Sequence, residues 1–171
     1  MLVALVATAA STGALLVGAY TASLQRHHDR AEVWPHLELA LSLSPEGATI
    51  SVVNSGIGPA VIQSVGATLD GKPIASWDQL AQALVDHPLR AYSASSLADR
   101  VIRAGEAQQV LTIPASELSS TSRRALTRAS VSVCYASVFD ERWLVRTPAL
   151  TGRSEWRSVD RCPTNDRDSQ L

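Results

Sequence analysis

No charged side chain occurs between Leu2 and Leu24, and that run stops abruptly at Gln25-Arg26-His27-His28-Asp29-Arg30. At about 1.5 Å per helical residue the run would cover about 34 Å, slightly more than the roughly 30 Å hydrocarbon core of a bilayer. It therefore predicts one N-terminal transmembrane helix, with lipid contacted through residues 2–24. Residues 1–25 are read as an anchor and 26–35 as a juxtamembrane linker. One folded domain is read over 36–162, followed by a flexible tail over 163–171. Small residues in Ala7–Gly13 and Gly18–Ala22 leave faces on which another helix can pack, although Gly13 and Gly18 lack the four-residue spacing of a GxxxG pair. A cleaved signal peptide is the competing reading. It requires basic residues ahead of the apolar run, and none precede it; cleavage after Ala22 would also put Tyr20 at position −3, where a small residue is needed.

Charge and cysteine usage disagree about orientation. Arg26 and Arg30 follow the span and nothing basic precedes it, which places the domain on the cytoplasmic side. Against this, the only cysteines are Cys134 and Cys162, an even pair in a small β domain, as an oxidising compartment permits. Bonded, they would close a loop worth about 3–4 kcal/mol of chain entropy; the other reading is two unrelated reduced thiols. The cysteine argument is given the greater weight, and the domain is expected outside the cytoplasm. A net charge of −1 leaves no excess of either sign to hold nucleic acid, which is not expected as a partner.

After Trp34-Pro35 the pattern turns to period two. Leu37, Leu39, Leu41 and Leu43 share one face of a strand, Ser44-Pro45-Glu46-Gly47 makes a turn, and Ala48–Val53 returns as the second arm of a hairpin. Asn54-Ser55-Gly56-Ile57-Gly58-Pro59-Ala60 is the densest punctuation in the chain. It reads as a structural turn in which Asn54 bonds nearby backbone, Gly56 and Gly58 supply positive φ, and Pro59 fixes the start of the next strand. That strand covers Val61–Leu69 and ends in an Asp70-Gly71 turn. Ser76 and Gln79 mark the start of a short helix through Val85, and Leu89–Ala94 reads as a loop. Strands are expected near 97–103 and 108–113, then a second helix capped by Ser116 and running to about Arg128. A long hairpin follows, 130–138 paired with 142–146 across Phe139-Asp140-Glu141, and a last strand over 154–160. Many short strands with helices in two connections predict an all-β, immunoglobulin-like β-sandwich.

Chemistry is sparsely signalled. His27, His28 and Asp29 lack a further ligand at useful spacing, and the two cysteines lack the paired spacing of a zinc site, so no metal and no cofactor is expected. No Gly-x-Ser-x-Gly elbow is present. Asp86-His87 is the one Asp-His neighbour pair beyond the first 30 residues, and Pro88 favours a helix-end role for it. Residues 54–60 lack the Lys and following helix of a phosphate loop. At the hairpin tip, Asp140 and Glu141 sit between Phe139 and Trp143. Carboxylates on an exposed turn are solvated, whereas the aromatic flanks supply contact area for a partner.

Trp-Pro-His-Leu (34–37), the Asn54–Ala60 segment, Leu-Asp-Gly-Lys-Pro (69–73) and Cys-Tyr-Ala-Ser-Val-Phe-Asp-Glu-Arg-Trp (134–143) together resemble a family of uncharacterised bacterial single-pass membrane proteins with a β-rich domain. The resemblance spans about residues 30–162 and implies no activity. The family pattern has cysteines where this chain has Ala136 and Arg142, which suits a bridge between those positions in relatives. It implies an oxidising compartment, with Cys134 and Cys162 the surviving pair. The expectation is thus a non-enzymatic module displayed from a bacterial inner membrane into the periplasm, with Phe139, Asp140, Glu141 and Trp143 meeting a protein partner. Two alternatives stand beside it. One is a hydrolase in which His87 converges with Asp140 or Glu141; the other is a regulatory subunit packing through its first helix.

Overall fold

The structure is a computed structural model that describes residues 2–148, 150, 153–163 and 171. It divides into two compact units, Met1–Val33 and Trp34–Leu171. The first unit is a single helix, α1 (Leu2–Glu32). Its hydroxyls turn back onto its own carbonyls, Ser11 onto Ala7 at 2.8 Å and Thr21 onto Val17 at 2.9 Å. The helix does not stop at the charged residues. It continues through the segment read as a linker, where His28 and Glu32 approach to 3.7 Å one turn apart.

The expected fold class is corrected here. Among the described residues no helix is long and apolar enough to cross a membrane. Alanine, glycine, serine and threonine dilute the leucines and valines of α1, and its last turns carry charge. The all-β, immunoglobulin-like β-sandwich behind a transmembrane helix therefore gives way to a coarser description: a β-rich, disulfide-bonded fold with three α-helices among the described residues.

The second unit holds two antiparallel sheets. One is ordered β1 (Leu37–Ser44), β2 (Gly47–Asn54), β7 (Ala107–Pro114), β5 (Ser93–Ala94). The other runs β10 (Glu155–Ser158), β9 (Arg142–Thr147), β8 (Ala129–Ala136), β3 (Ala60–Leu69), β4 (Lys72–Ile74), with β6 (Val101–Ile102) also against β3. Both contribute to a single apolar cluster that includes Leu37, Ile50 and Ile113 from the first sheet and Ile62, Val133 and Tyr135 from the second.

Alternation builds these strands, and two bulges reset it. In β7 the register shifts opposite Ile50 and Ser51, so the neighbours Val110 and Leu111 are both buried. In β3 it shifts between Ile62 and Ser64, which lets both Ile62 and Val65 face the core. The Asp70-Gly71 turn joins β3 to β4 with φ of 52° and 76°, the left-handed pair that a two-residue hairpin demands.

Between the sheets' strands, α2 (Trp77–Leu84) is capped by Ser76, whose hydroxyl accepts from Gln79 N at 3.1 Å, and it buries Trp77, Leu80, Ala81 and Leu84. The second expected helix starts later than its first serine suggested. Ala115–Glu117 is a 3-10 turn, and Ser119 caps α3 (Ser120–Leu126) by accepting from Thr121 N and Ser122 N. The segment read as the loop 89–94 contains β5. Of the expected flexible tail, 164–170 lie outside the described residues, whereas Leu171 is buried in the core and its carbonyl accepts from the Ser96 hydroxyl at 3.1 Å.

One flaw in the packing gives a test. Thr147 is 1% exposed and its hydroxyl finds no partner among the described residues. Thr147→Val keeps the shape and removes the orphaned hydroxyl. It is expected to stabilise the protein by about 1 kcal/mol, read as a higher midpoint in urea at unchanged m-value.

Candidate functional site

The tip between β8 and β9 is a five-residue connection tied down from inside. Ala136 pairs with Arg142, and Ser137, buried, then organises the rest. Its N–H donates to Glu141 O at 2.9 Å, and its hydroxyl accepts from Phe139 N at 3.2 Å and Glu141 N at 3.4 Å. Asp140 takes a φ of 64°, which aspartate tolerates better than most residues, and Arg142 Nη2 donates to both of its carboxylate oxygens at 2.6 Å. Val138 at 56% exposure and Phe139 at 44% crown this frame. Trp143 does not join them. It packs against the core and stacks on Tyr135 with ring centroids 5.8 Å apart.

Asn54 is the hub of the turn that precedes β3, at the same end of the second sheet, where Val61 pairs with Ala136. It is fully buried, and its side chain makes four hydrogen bonds. Oδ1 accepts from His36 N (3.2 Å) and Gly56 N (3.0 Å); Nδ2 donates to Gly58 O (2.8 Å) and Ile102 O (3.0 Å). Gly56 and Gly58 are not among the described glycines with positive φ, which are Gly47, Gly71 and Gly105. Gly56 serves close approach instead. A Cβ there would stand 2.3 Å from His36 N and 2.5 Å from Trp34 O, because the chain of Trp34–His36 crosses directly over it. Pro59 lies between this turn and β3. The backbone N–H groups of Ser55, Ile57 and Gly58 are used internally, on His36 O and Trp34 O.

Next to this turn, Trp156 reaches from β10 to the edge of β1. Its indole N–H donates to Leu37 O at 2.6 Å, and its ring stacks on His36 at 4.6 Å. The Tyr135 hydroxyl accepts from Leu37 N at 3.3 Å, while Ser154 Oγ both accepts from Leu39 N and donates to Leu39 O. Side chains of the second sheet thus occupy backbone groups that an edge strand would otherwise offer to another chain. Burial pushes the Tyr135 phenol above its ordinary pKa, and the Leu37 N–H offsets part of that.

Cys134 and Cys162 are bonded, with Cα atoms 5.7 Å apart. The bridge fastens the segment after β10 to the outer face of β8.

His87 meets its sequence neighbour Asp86 and also Glu117, which the sequence did not single out, and not Asp140. Its Nε2 lies 3.0 Å from Glu117 Oε2 and its Nδ1 3.3 Å from Asp86 Oδ1. Glu117 is buried and also accepts from Arg90 N at 3.2 Å. The bond to His87, then that from the Ser119 hydroxyl, hold the Asp86 carboxyl below its ordinary pKa. Ser119 donates to Asp86 and not to the imidazole, so His87 does not face that hydroxyl as the base of a Ser-His pair. Asp140 is engaged by Arg142, and no hydrogen bond or ion pair joins it to His87 among the described residues. Nor do those residues include a group of three His, Cys, Asp or Glu able to hold a metal ion.

A cleft of about 520 Å³ opens on the outer face of the second sheet, lined by Gly66, Thr68, Ser130, Ser132, Leu144 and Arg146 with β10 residues at its rim. Its floor follows from strand parity. Gly66 pairs with Ser132 and Thr68 with Ser130; Ser132 pairs with Arg146, and Arg146 with Glu155. Small residues on two central strands leave a hollow that longer side chains on β9 and β10 wall. Neither this cleft nor the His87 cluster was anticipated in full. The Ser130-x-Ser132 parity was visible, but its partners were not.

No protein-family model matches the chain, and comparison with curated proteins and with solved structures finds no match either.

Proposed function

We propose that residues 34–171 form a non-enzymatic contact module that works in an oxidising compartment outside the cytoplasm and engages a protein partner through the β8–β9 tip. One observation carries this reading: Val138 and Phe139 stand exposed on a turn whose backbone is held by Ser137 and whose aspartate is gripped by Arg142. A tip fixed in advance loses little conformational freedom on binding, and an aromatic anchor at its crown is the kind of residue that dominates interface energetics. Support for the compartment comes from the Cys134–Cys162 bridge, because such bonds persist where thiols are not kept reduced. Trp143 belongs to the support of the tip and not to its contact face.

A photo-reactive amino acid placed at Val138 of the full chain tests this in cells. The expected result is a discrete crosslinked adduct that Phe139→Ser reduces about tenfold or more, while thermal stability changes little. Thr127, exposed just beyond α3, is the control position. Equal adducts from both positions, or none from Val138, would remove the tip from consideration.

A further inference from the structure

We infer that the cleft on the outer face of the second sheet is a binding site for a small molecule carrying an oxyanion: a carboxylate, sulfate or phosphate group. The inference is independent of the tip, which lies at the end of the β8–β9 hairpin, and it rests on how the cleft's charged side chains are disposed.

Arg146 and Glu155 are direct cross-strand partners, the arrangement in which opposite charges ordinarily meet. No ion pair forms between them among the described residues. Arg146 turns instead toward the hollow, where its Nε donates to Ser130 Oγ at 3.3 Å. A guanidinium has five N–H donors in a rigid fork, and this bond uses one of them, so the remaining fork is presented above the floor. Leu144 pairs with Arg157, which brings a second guanidinium to the same face on the adjacent strand. The floor itself offers hydroxyl donors from Thr68 and Ser130, while Ser132 Oγ donates to Gly66 O at 3.4 Å and Gly66 leaves room; a Cβ there would stand 3.0 Å from Ser132 Oγ. Two guanidiniums over a hydroxyl floor match the planar, multi-acceptor geometry of an oxyanion. A volume of about 520 Å³ is in the range that holds a small molecule. Glu155 stands at the rim with the opposite sign. It opposes an anion, and this makes a prediction that a merely structural role for these residues would not.

The experiment is a titration of the ¹⁵N-labelled full chain with citrate and, separately, with inorganic phosphate at low salt. Saturating amide shifts centred on Gly66, Ser130 and Ser132 are expected, at millimolar concentration or tighter. Arg146→Gln and Arg157→Gln should each weaken binding about tenfold or more, Arg146→Lys less, because a charge-assisted fork is lost in the first pair and only its geometry in the last. Glu155→Gln should tighten it several-fold. Arg123→Gln, on the exposed side of α3, should leave it unchanged. Response to citrate alone would identify a carboxylate ligand, response to phosphate alone a phosphoryl or sulfuryl group, and response to both a general oxyanion site. Shifts that fail to saturate, or an affinity unaltered by the Arg146 and Arg157 changes, would overturn the inference.

Discussion

Asn54→Ala is expected to destabilise the domain by about 3–5 kcal/mol. The side chain is fully buried and serves two N–H donors and two carbonyls. Each such bond contributes about 1 kcal/mol net, but truncation also strands the partners, and a buried polar group without a partner costs about 1–3 kcal/mol. His36 N and Ile102 O are the decisive ones, because they tie the start of β1 and the β6 strand to the end of β2. Domains of this size have only about 5–15 kcal/mol in hand, so the melting temperature should fall by about 10 °C or more. Asn54→Asp separates the hydrogen bonds from the shape. Its carboxylate can still accept from His36 N and Gly56 N but faces Gly58 O and Ile102 O with negative charge. It should be at least as destabilising as alanine at neutral pH and partly recover as the pH is lowered and the carboxyl gains a proton to donate. A melting series across pH 4–8 reads this directly. A loss below about 1 kcal/mol for Asn54→Ala would mean that the turn is held by its backbone bonds alone.

That residue also marks how far sequence reasoning reaches. Asn-Ser-Gly-x-Gly-Pro announces a turn, and its bonds to Gly56 and Gly58 are local enough to anticipate. The bonds to His36 and Ile102 depend on pairing over 18 and 48 positions, which no local pattern encodes. Gly56 shows the same limit from the other side. Its glycine identity was legible, yet the reason lies in a crossing strand and not in its own dihedrals. The hairpin of β1 and β2 was readable because four leucines keep strict alternation, as was α2 because Ser76 and Gln79 sit at capping distance. The start of α3 was not, since several serines compete to cap it, and the one that does, Ser119, closes a capping box with Ser122 and bonds Asp86, 33 positions away. Bulges in β3 and β7 each insert one residue and so invert parity downstream, which hides from the sequence which face of β3 lines the cleft. The uncharged N-terminal run forms the helix that its composition favours, but a helix so rich in small and hydroxyl side chains does not carry the apolarity of a membrane span among the described residues.

Loss of the Cys134–Cys162 bond should cost about 3–4 kcal/mol, because the bond closes a loop of 28 positions whose freedom the unfolded chain regains. The consequence is local before it is global. β10 is four residues long, exposed along its length and paired on one side only, with β9. It nevertheless supplies the indole that bonds Leu37 O, and the neighbouring Ser154 bonds both backbone groups of Leu39. Tethering Cys162 to β8 therefore holds in place the side chains that cover the edge of β1. In the Cys134→Ala/Cys162→Ser variant, amide protection should fall first at β10, then at Leu37 and Leu39, and the protein should become more prone to self-association as the β1 edge opens. Hydrogen exchange and light scattering on the oxidised protein and the variant give the comparison. If β10 stays protected and β1 stays monodisperse, the Trp156 and Ser154 contacts suffice without the bond, and the argument for an oxidising compartment loses its physical basis. If β10 frays and the edge opens together, the bond is what keeps this sheet edge closed, and the domain needs a compartment in which it survives.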